Sequence, residues 1–252
     1  MHCHILPGLD DGPETMDDAL AMCRIAWDDG IQTIVATPHC YRGRYENDAA
    51  TIRPVYDLLK QRLQEEAIGL NLLMAGDIHV DPDIVAFLED NPELCPGGHF
   101  VLIELPSEAV PPFVGNHFTA LRFRGFTPIL THPERNRMIR QRPDLVGEWV
   151  RQGVFVQVTA MSLTGEFGDA AQTAALTLLD SGRIHFVATD AHSPTRRRPV
   201  LSGAAVLLRK RIGEKGTRRL LEENPRRMLA GLDPLEVGLG ILRNSAISAI
   251  NQ

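Results

Sequence analysis

Residues 14–39 read ETMDDALAMCRIAWDDGIQTIVATPH. Pro13 suits a first helical position, and acidic residues open the segment that follows. A helix is therefore expected over 14–29. Gly30 sits where a C′ cap belongs. Residues 31–36 form a short apolar run, which reads as a buried strand. His39 follows at once, after Thr37-Pro38. Helix, glycine, strand and then a polar residue is the unit from which the rest of the chain is built.

The same unit recurs outward in both directions. Strand-like runs lie at 70–75, 100–105, 127–131, 154–158 and 185–188. Helix-like segments lie between and after them, at 49–66, 83–89, 116–124, 143–152, 169–181, 201–211 and 215–230. Gly69, Gly125, Gly153 and Gly182 repeat the position of Gly30. Such alternation demands a parallel sheet with helical crossovers. With a first strand at the N-terminus there are seven units, for which a closed or nearly closed (β/α) barrel is the natural solution at 252 residues. An open doubly wound sheet is the alternative. One domain over 1–232 is expected. Residues 233–252 form a tail, with room for one more amphipathic helix over 239–250.

In a parallel barrel the C-terminal strand ends share one mouth. After the first strand come His2, His4 and Asp10-Asp11; after the second, His39; after the third, Asp77. The fourth ends in Glu104, the fifth in His132-Pro133-Glu134-Arg135, and the seventh in Asp190-Ala191-His192. Only the sixth, near Gln157, Thr159 and Ser162, brings no obvious ligand. Imidazoles and carboxylates packed this closely need compensating charge. Divalent metals supply it, and mixed N and O ligands suit Mn²⁺, Fe²⁺ or Zn²⁺. His2 and His4 share a strand face, so both rings can reach one ion.

Composition narrows the chemistry further. The formal net charge of -6 argues against nucleic acid, which favours a basic surface. No run of 18 apolar residues is present to span a membrane, and the start lacks the form of a signal peptide, so a cytoplasmic location is expected. None of the four cysteines, Cys3, Cys23, Cys40 and Cys95, has an arginine six positions on, so thiol-based phosphatase chemistry is disfavoured. Cys3 should point away from the His2/His4 face, and Cys40 reads as a small buried residue. His79, His99, His117 and His185 read as surface or satisfied core histidines, and Asp10 as a turn residue. Arg196-Arg197-Arg198 reads either as a solvated basic loop or as a phosphate contact.

The motifs resemble those of the CpsB/CapC branch of the PHP phosphoesterases. HCHILPGLDDG at 2–12 carries the resemblance. ATPH at 36–39, Ile103-Glu104, THPER at 131–135, TDAH at 189–192 and Glu223-Asn224-Pro225 extend it in order, across roughly residues 1–230. The resemblance implies a distorted seven-stranded barrel holding up to three metals, with Mn²⁺ foremost and Fe²⁺, Zn²⁺ or Co²⁺ as alternatives. By that resemblance His2, His4 and Asp190 hold one ion. Asp77 bridges to a second, held also by Glu104 and His132. Asp11, His39 and His192 hold a third, while Arg135 and Arg197 contact phosphate. It further implies water attack on phosphotyrosine without a phosphoenzyme. The implied substrate is the tail of a bacterial tyrosine kinase that controls capsule synthesis, and homo-oligomers remain open. The chain differs from the family pattern at Gly76-Asp77, where Gly-Ala-Glu is usual, and in a shortened first strand. A small-metabolite PHP phosphatase, such as one acting on histidinol phosphate, and a non-catalytic kinase-binding module are the competing readings.

Overall fold

Thr15 starts the first helix, and the helix begins at Met16 rather than at 14 for that reason. Its hydroxyl accepts from the Asp18 N–H, capping Met16–Asp28. The helix closes as a Schellman turn: Gly30 N–H donates to the Trp27 carbonyl and Ile31 N–H to that of Ala26. Gly30 takes φ 90° there. Ala19, Leu20, Met22, Cys23 and Ala26 form the buried face. At the second helix, Ala49–Glu65, the left-handed position falls on Ala67 (φ 52°), not on the expected Gly69. Gly69 answers a different need, because a Cβ there would come within 2.8 Å of the Trp27 ring.

The computed structural model describes residues 1–237. The helix expected over 239–250 lies outside them. The strands are β1 (Thr33–Ala36), β2 (His39–Cys40), β3 (Asn71–Met74), β4 (Asp77–His79), β5 (Phe100–Glu104), β6 (Thr127–Thr131), β7 (Phe155–Thr159) and β8 (Phe186–Ala188). All pairing between them is parallel. Six strands run β2-β4-β5-β6-β7-β8, and β1 pairs with β3 separately. Thr37-Pro38 separates β1 from β2, and Ala75-Gly76 separates β3 from β4. Hydrogen bonds from Ala75 N–H to Ala36 O and from Asp77 N–H to Pro38 O carry the pairing across both gaps.

The first strand is reduced to a single residue with two neighbours. Cys3 bridges in parallel to Ala36, at the end of β1, and to Ala191, just past β8. His4 N–H donates to Ala191 O, Asp190 N–H to His2 O, and Thr37 N–H to Cys3 O, each at 2.9–3.0 Å. These bonds hold His2 and His4 between the two ends of the strand array. Strands β5 to β8 are buried almost throughout, as their unbroken apolar runs require.

Two helices were expected near the C-terminus, at 201–211 and 215–230. They follow one another with a non-helical Gly213 (φ 74°) between them. A π turn, Arg219–Glu223, then leads into Asn224–Leu229. Asn224 is fully buried and ties two backbone segments together with three hydrogen bonds: its amide donates to His185 O and Leu235 O and accepts from Leu235 N–H. The beginning of the tail is thereby tied to the strand that carries Asp190. No helix among the described residues is long and apolar enough to cross a membrane.

Candidate metal centre

All nine candidate ligands converge at one mouth: Glu104 ends β5, His132 follows β6, Asp190 and His192 lie past β8, and His39 and Asp77 open the short strands β2 and β4. They fall into four overlapping groups whose ligand atoms lie within 4.8 Å of one another: His4/Asp11/His39/His192, His2/His4/Asp77, His2/His132/Asp190 and His39/Asp77/Glu104. Neighbouring groups share members, and the partition differs from the one the resemblance implies: Glu104 groups with His39 and Asp77, and His132 with His2 and Asp190. His132 Nε2 still lies 3.7 Å from Glu104 Oε1. His132 (φ 32°) and Asp190 (φ 49°) both adopt left-handed backbone just past a strand end. That conformation is costly for a non-glycine residue and turns these side chains into the mouth.

The two N-terminal imidazoles define what the centre needs. His2 Nδ1 donates to Gln157 Oε1 at 2.7 Å, and His4 Nδ1 donates to Asp10 Oδ2 at 2.7 Å. With both Nδ1 atoms committed as donors, each neutral ring keeps its lone pair on Nε2. Those two Nε2 atoms face each other at 3.1 Å. Two lone pairs at that distance repel unless a cation lies between them. A proton can serve: burial opposes charging His4, but its bonds to Asp10 and Asp190 outweigh this and raise its pKa to about 10. A divalent ion serves better, because Asp190 Oδ1 stands 3.5 Å from His2 Nε2 and 3.4 Å from His4 Nε2. His39 Nδ1 faces two carboxylates, 3.2 Å from Asp77 Oδ2 and 3.3 Å from Glu104 Oε2, with no well-aligned hydrogen bond to Asp77. The donor set therefore fits divalent metals.

Charge around the centre is sharply uneven. Burial alone would raise the pKa of Asp190, yet Arg197, His2 and Arg135 hold it well below the usual range. Asp77 is lowered against its burial by His2 and His39. Burial, with the charge of Asp77 beside it, pushes Glu104 up to about 7. Burial also lowers His132, helped by Arg135, and takes His192 down to about 4, helped by His4. Arg135 and Arg197 both donate to Asp190 Oδ2. A cavity of about 280 Å³ opens over the centre, walled by Tyr41, Tyr45, His79 and Pro106 as well as by both arginines.

Several contributors were not legible beforehand. Asp10 is more than a turn residue: besides His4 it accepts from His39 N–H and Gly12 N–H, each at 2.9 Å. Gly12 must be glycine, since a Cβ would lie 2.6 Å from the His4 carbonyl oxygen. Gln157 orients His2 from the strand that offers no ligand. His79, read as a surface or core residue, lines the cavity and stacks on Tyr41 with ring centroids 3.8 Å apart. Glu134 turns away from the mouth. It is fully buried and accepts from Thr159 N–H and Ser162 Oγ. His185 is a core histidine whose Nδ1 accepts from Val156 N–H. Removing the Asp10 carboxylate (Asp10→Ala) is expected to weaken manganese binding by about 10–100-fold, the usual effect of losing a residue that orients a ligand. Manganese titration of the variant checks this, with a near-normal turnover expected at saturating metal.

The model for the family described as "Capsular polysaccharide synthesis, CpsB/CapC" matches residues 1–230. The chain belongs to the CpsB/CapC family. This CpsB/CapC chain is 38% identical over 216 residues to the tyrosine-protein phosphatase YwqE of Bacillus subtilis (strain 168), covering 85% of each chain. It is 36% identical over 198 residues to the putative tyrosine-protein phosphatase CapC of Staphylococcus aureus, covering 78% of each. Among solved structures it resembles one from work on B. subtilis YwqE and Streptococcus pneumoniae CpsB, described as unique metal-dependent tyrosine phosphatases. The TM-score there is 0.88 at 36% identity, over 93% of this chain and 95% of the other. The mixed α/β fold of this CpsB/CapC chain, with its parallel sheet, is the fold of that relative.

Proposed function

We infer that this chain is a metal-dependent phosphomonoesterase that hydrolyses phosphotyrosine in protein. The observation that carries the reading is the pair of imidazole Nε2 atoms 3.1 Å apart, each fixed from behind, with a shared carboxylate alongside. The named activities of relatives at 36–38% identity supply the substrate class.

The finer assignments follow the same logic. His2, His4, Asp11, His39, Asp77, Glu104, His132, Asp190 and His192 hold two or three ions, with Mn²⁺ the choice that suits imidazole and carboxylate together. The strand array, bridged at Cys3, closes as a distorted seven-stranded barrel within a single domain over 1–232. The phosphorylated partner is the tail of a bacterial tyrosine kinase that controls capsular or exopolysaccharide synthesis, met in the cytoplasm.

When bound, divalent ions polarise phosphoryl oxygens and acidify water. The chain itself orients the substrate. Arg135 and Arg197 present paired N–H donors to the phosphoryl oxygens, a task that suits the planar guanidinium. Tyr41, Tyr45 and Pro106 wall the outer cavity, where an aryl group on the phosphate would lie. Tyr45 stacks parallel to His39, with a 9° angle between rings and centroids 5.6 Å apart. A phenolate leaves readily because its pKa is about 10, so no general acid is required.

The test compares turnover of a phosphotyrosine peptide with that of histidinol phosphate, using the manganese-loaded protein. The peptide is expected to be preferred by at least about tenfold in kcat/KM, the equivalent of a modest contact difference of about 1.4 kcal/mol. Preference for the small metabolite would replace this reading with that of a metabolic phosphatase. Failure to turn over either would favour a non-catalytic binding module.

A further inference from the structure

Strand β7 delivers no imidazole or carboxylate to the mouth, yet the loop beyond it reaches the two arginines. The ring of Phe167 lies beneath both guanidinium groups, with its centroid 4.7 Å from Arg135 Cζ and 5.6 Å from Arg197 Cζ. We propose that Phe167 is a positioning residue for the phosphate-binding pair, a shared aromatic platform that holds Arg135 and Arg197 side by side. The proposal rests on reading the mouth as a phosphoryl site.

The loop is built to present one ring. Phe167 lies in Gly165-Glu166-Phe167-Gly168, between the short helix Ala160–Thr164 and the helix Asp169–Asp180. Gly165 (φ 94°) ends the first helix, and the N–H groups of Gly165 and Glu166 both return to Met161 O. Gly168 combines φ 85° with ψ 165°, a conformation open essentially to glycine alone. Gln172 braces the turn from below, its amide donating to Leu163 O and its N–H to Gly168 O. Glu134 accepts from Thr159 N–H and Ser162 Oγ, which anchors the start of the short helix to the residue next to Arg135. The ring and the first arginine are thus connected by a short, hydrogen-bonded path.

The arrangement answers an electrostatic problem. Two guanidinium groups converge on one carboxylate oxygen, Asp190 Oδ2, and like charges that close repel. The face of an aromatic ring carries negative potential and attracts cations placed over it. Phe167 on one side and Asp190 on the other keep the pair together without adding a formal charge that would compete with phosphate. Donors already held in place need not be ordered when the phosphoryl group arrives. Without the ring each arginine regains its rotamers, and binding bears the cost of ordering them.

The test uses the full chain loaded with manganese. Phe167→Leu is expected to raise both KM for a phosphotyrosine peptide and the dissociation constant of inorganic phosphate by about tenfold, the scale of losing two partly buried cation–π contacts together. Bound manganese and the thermal midpoint should stay at wild-type values, and Phe167→Trp should restore both constants. Wild-type phosphate affinity in Phe167→Leu would overturn the proposal. So would a Trp variant as weak as the Leu variant, because that marks the position as ordinary packing. If the Leu variant does not fold, phosphate affinity of the Trp variant decides alone: wild-type affinity supports the platform and a tenfold loss rejects it. Absence of phosphotyrosine turnover by the wild type counts against the assigned activity instead, and the phosphate titration then judges Phe167 separately.

Discussion

Asp190→Asn is expected to lower kcat/KM for phosphotyrosine by about a thousandfold or more, the scale of removing a principal electrostatic contact in a site that works by charge stabilisation. Asp190 is the one side chain that belongs to both halves of the site. Its Oδ1 stands 3.4–3.7 Å from His4, His2 and His192. Its Oδ2 receives both Arg135 and Arg197. Asparagine has nearly the same shape, and it tolerates the left-handed backbone that Asp190 adopts at φ 49°. The fold should therefore survive the change. What is lost is the negative charge, and the new amide sets a donor against arginine or histidine donors. Manganese per chain should fall together with activity, and the thermal midpoint of the metal-free protein should fall as well, because Arg135 and Arg197 lose the buried charge they pair with. Full metal content with activity within about tenfold of wild type would show that the ligands and the arginines do not meet through this residue.

The sequence made the ligands legible because their chemistry is local. His39 comes after β1 and the Thr37-Pro38 break, Glu104 ends β5, and Asp190 and His192 lie just beyond β8. Parallel topology then does the work of bringing them together. The supporting residues do not announce themselves in this way. Gln157 is 155 positions from the ring it orients, and a neutral amide on a buried strand has no signature of its own. Asp10 beside Asp11 looks like half of a turn until His4 is seen against it. Phe167 has the composition of any loop aromatic, although the glycines on either side were a readable sign of an unusual turn. Glu134 adjoins Arg135 in the chain but serves a helix start, because the 3-10 turn at Pro133–Arg135 sends the two side chains in different directions. Helix ends erred where two rules competed: Ala67 accepted a left-handed backbone so that Gly69 could lie against Trp27. The break in the strand at Thr37-Pro38 follows from proline lacking an N–H, and it frees His39 to face the mouth rather than continue a straight pairing with β3.

Apparent manganese affinity is expected to rise steeply with pH, by about a hundredfold or more between pH 6 and 8, because ligands must lose their protons before they can bind the ion. The direction follows from the groups themselves. His4, raised to about 10, carries a proton across this whole range in the metal-free protein, and that proton occupies the lone pair an ion would use. Binding expels it, so log affinity gains about one unit per pH unit from this group alone. Glu104, raised to about 7, is largely protonated below that value and adds a second proton to the slope there. His39 is raised too, by Asp77 and Glu104 against its burial, and steepens the dependence wherever it is charged. The other ligands do not contribute. Asp11, Asp77 and Asp190 are lowered and already ionised. His132 and His192 are lowered far enough to be neutral already, and burial lowers His2 in the same direction. The slope should therefore be greater below pH 7 than above it. Competition titrations against a chelator of known proton affinity, run from pH 6 to 9, read the slope directly. A flat profile would mean that His4 is neutral without metal, and the cation between the two facing imidazoles would then need another source.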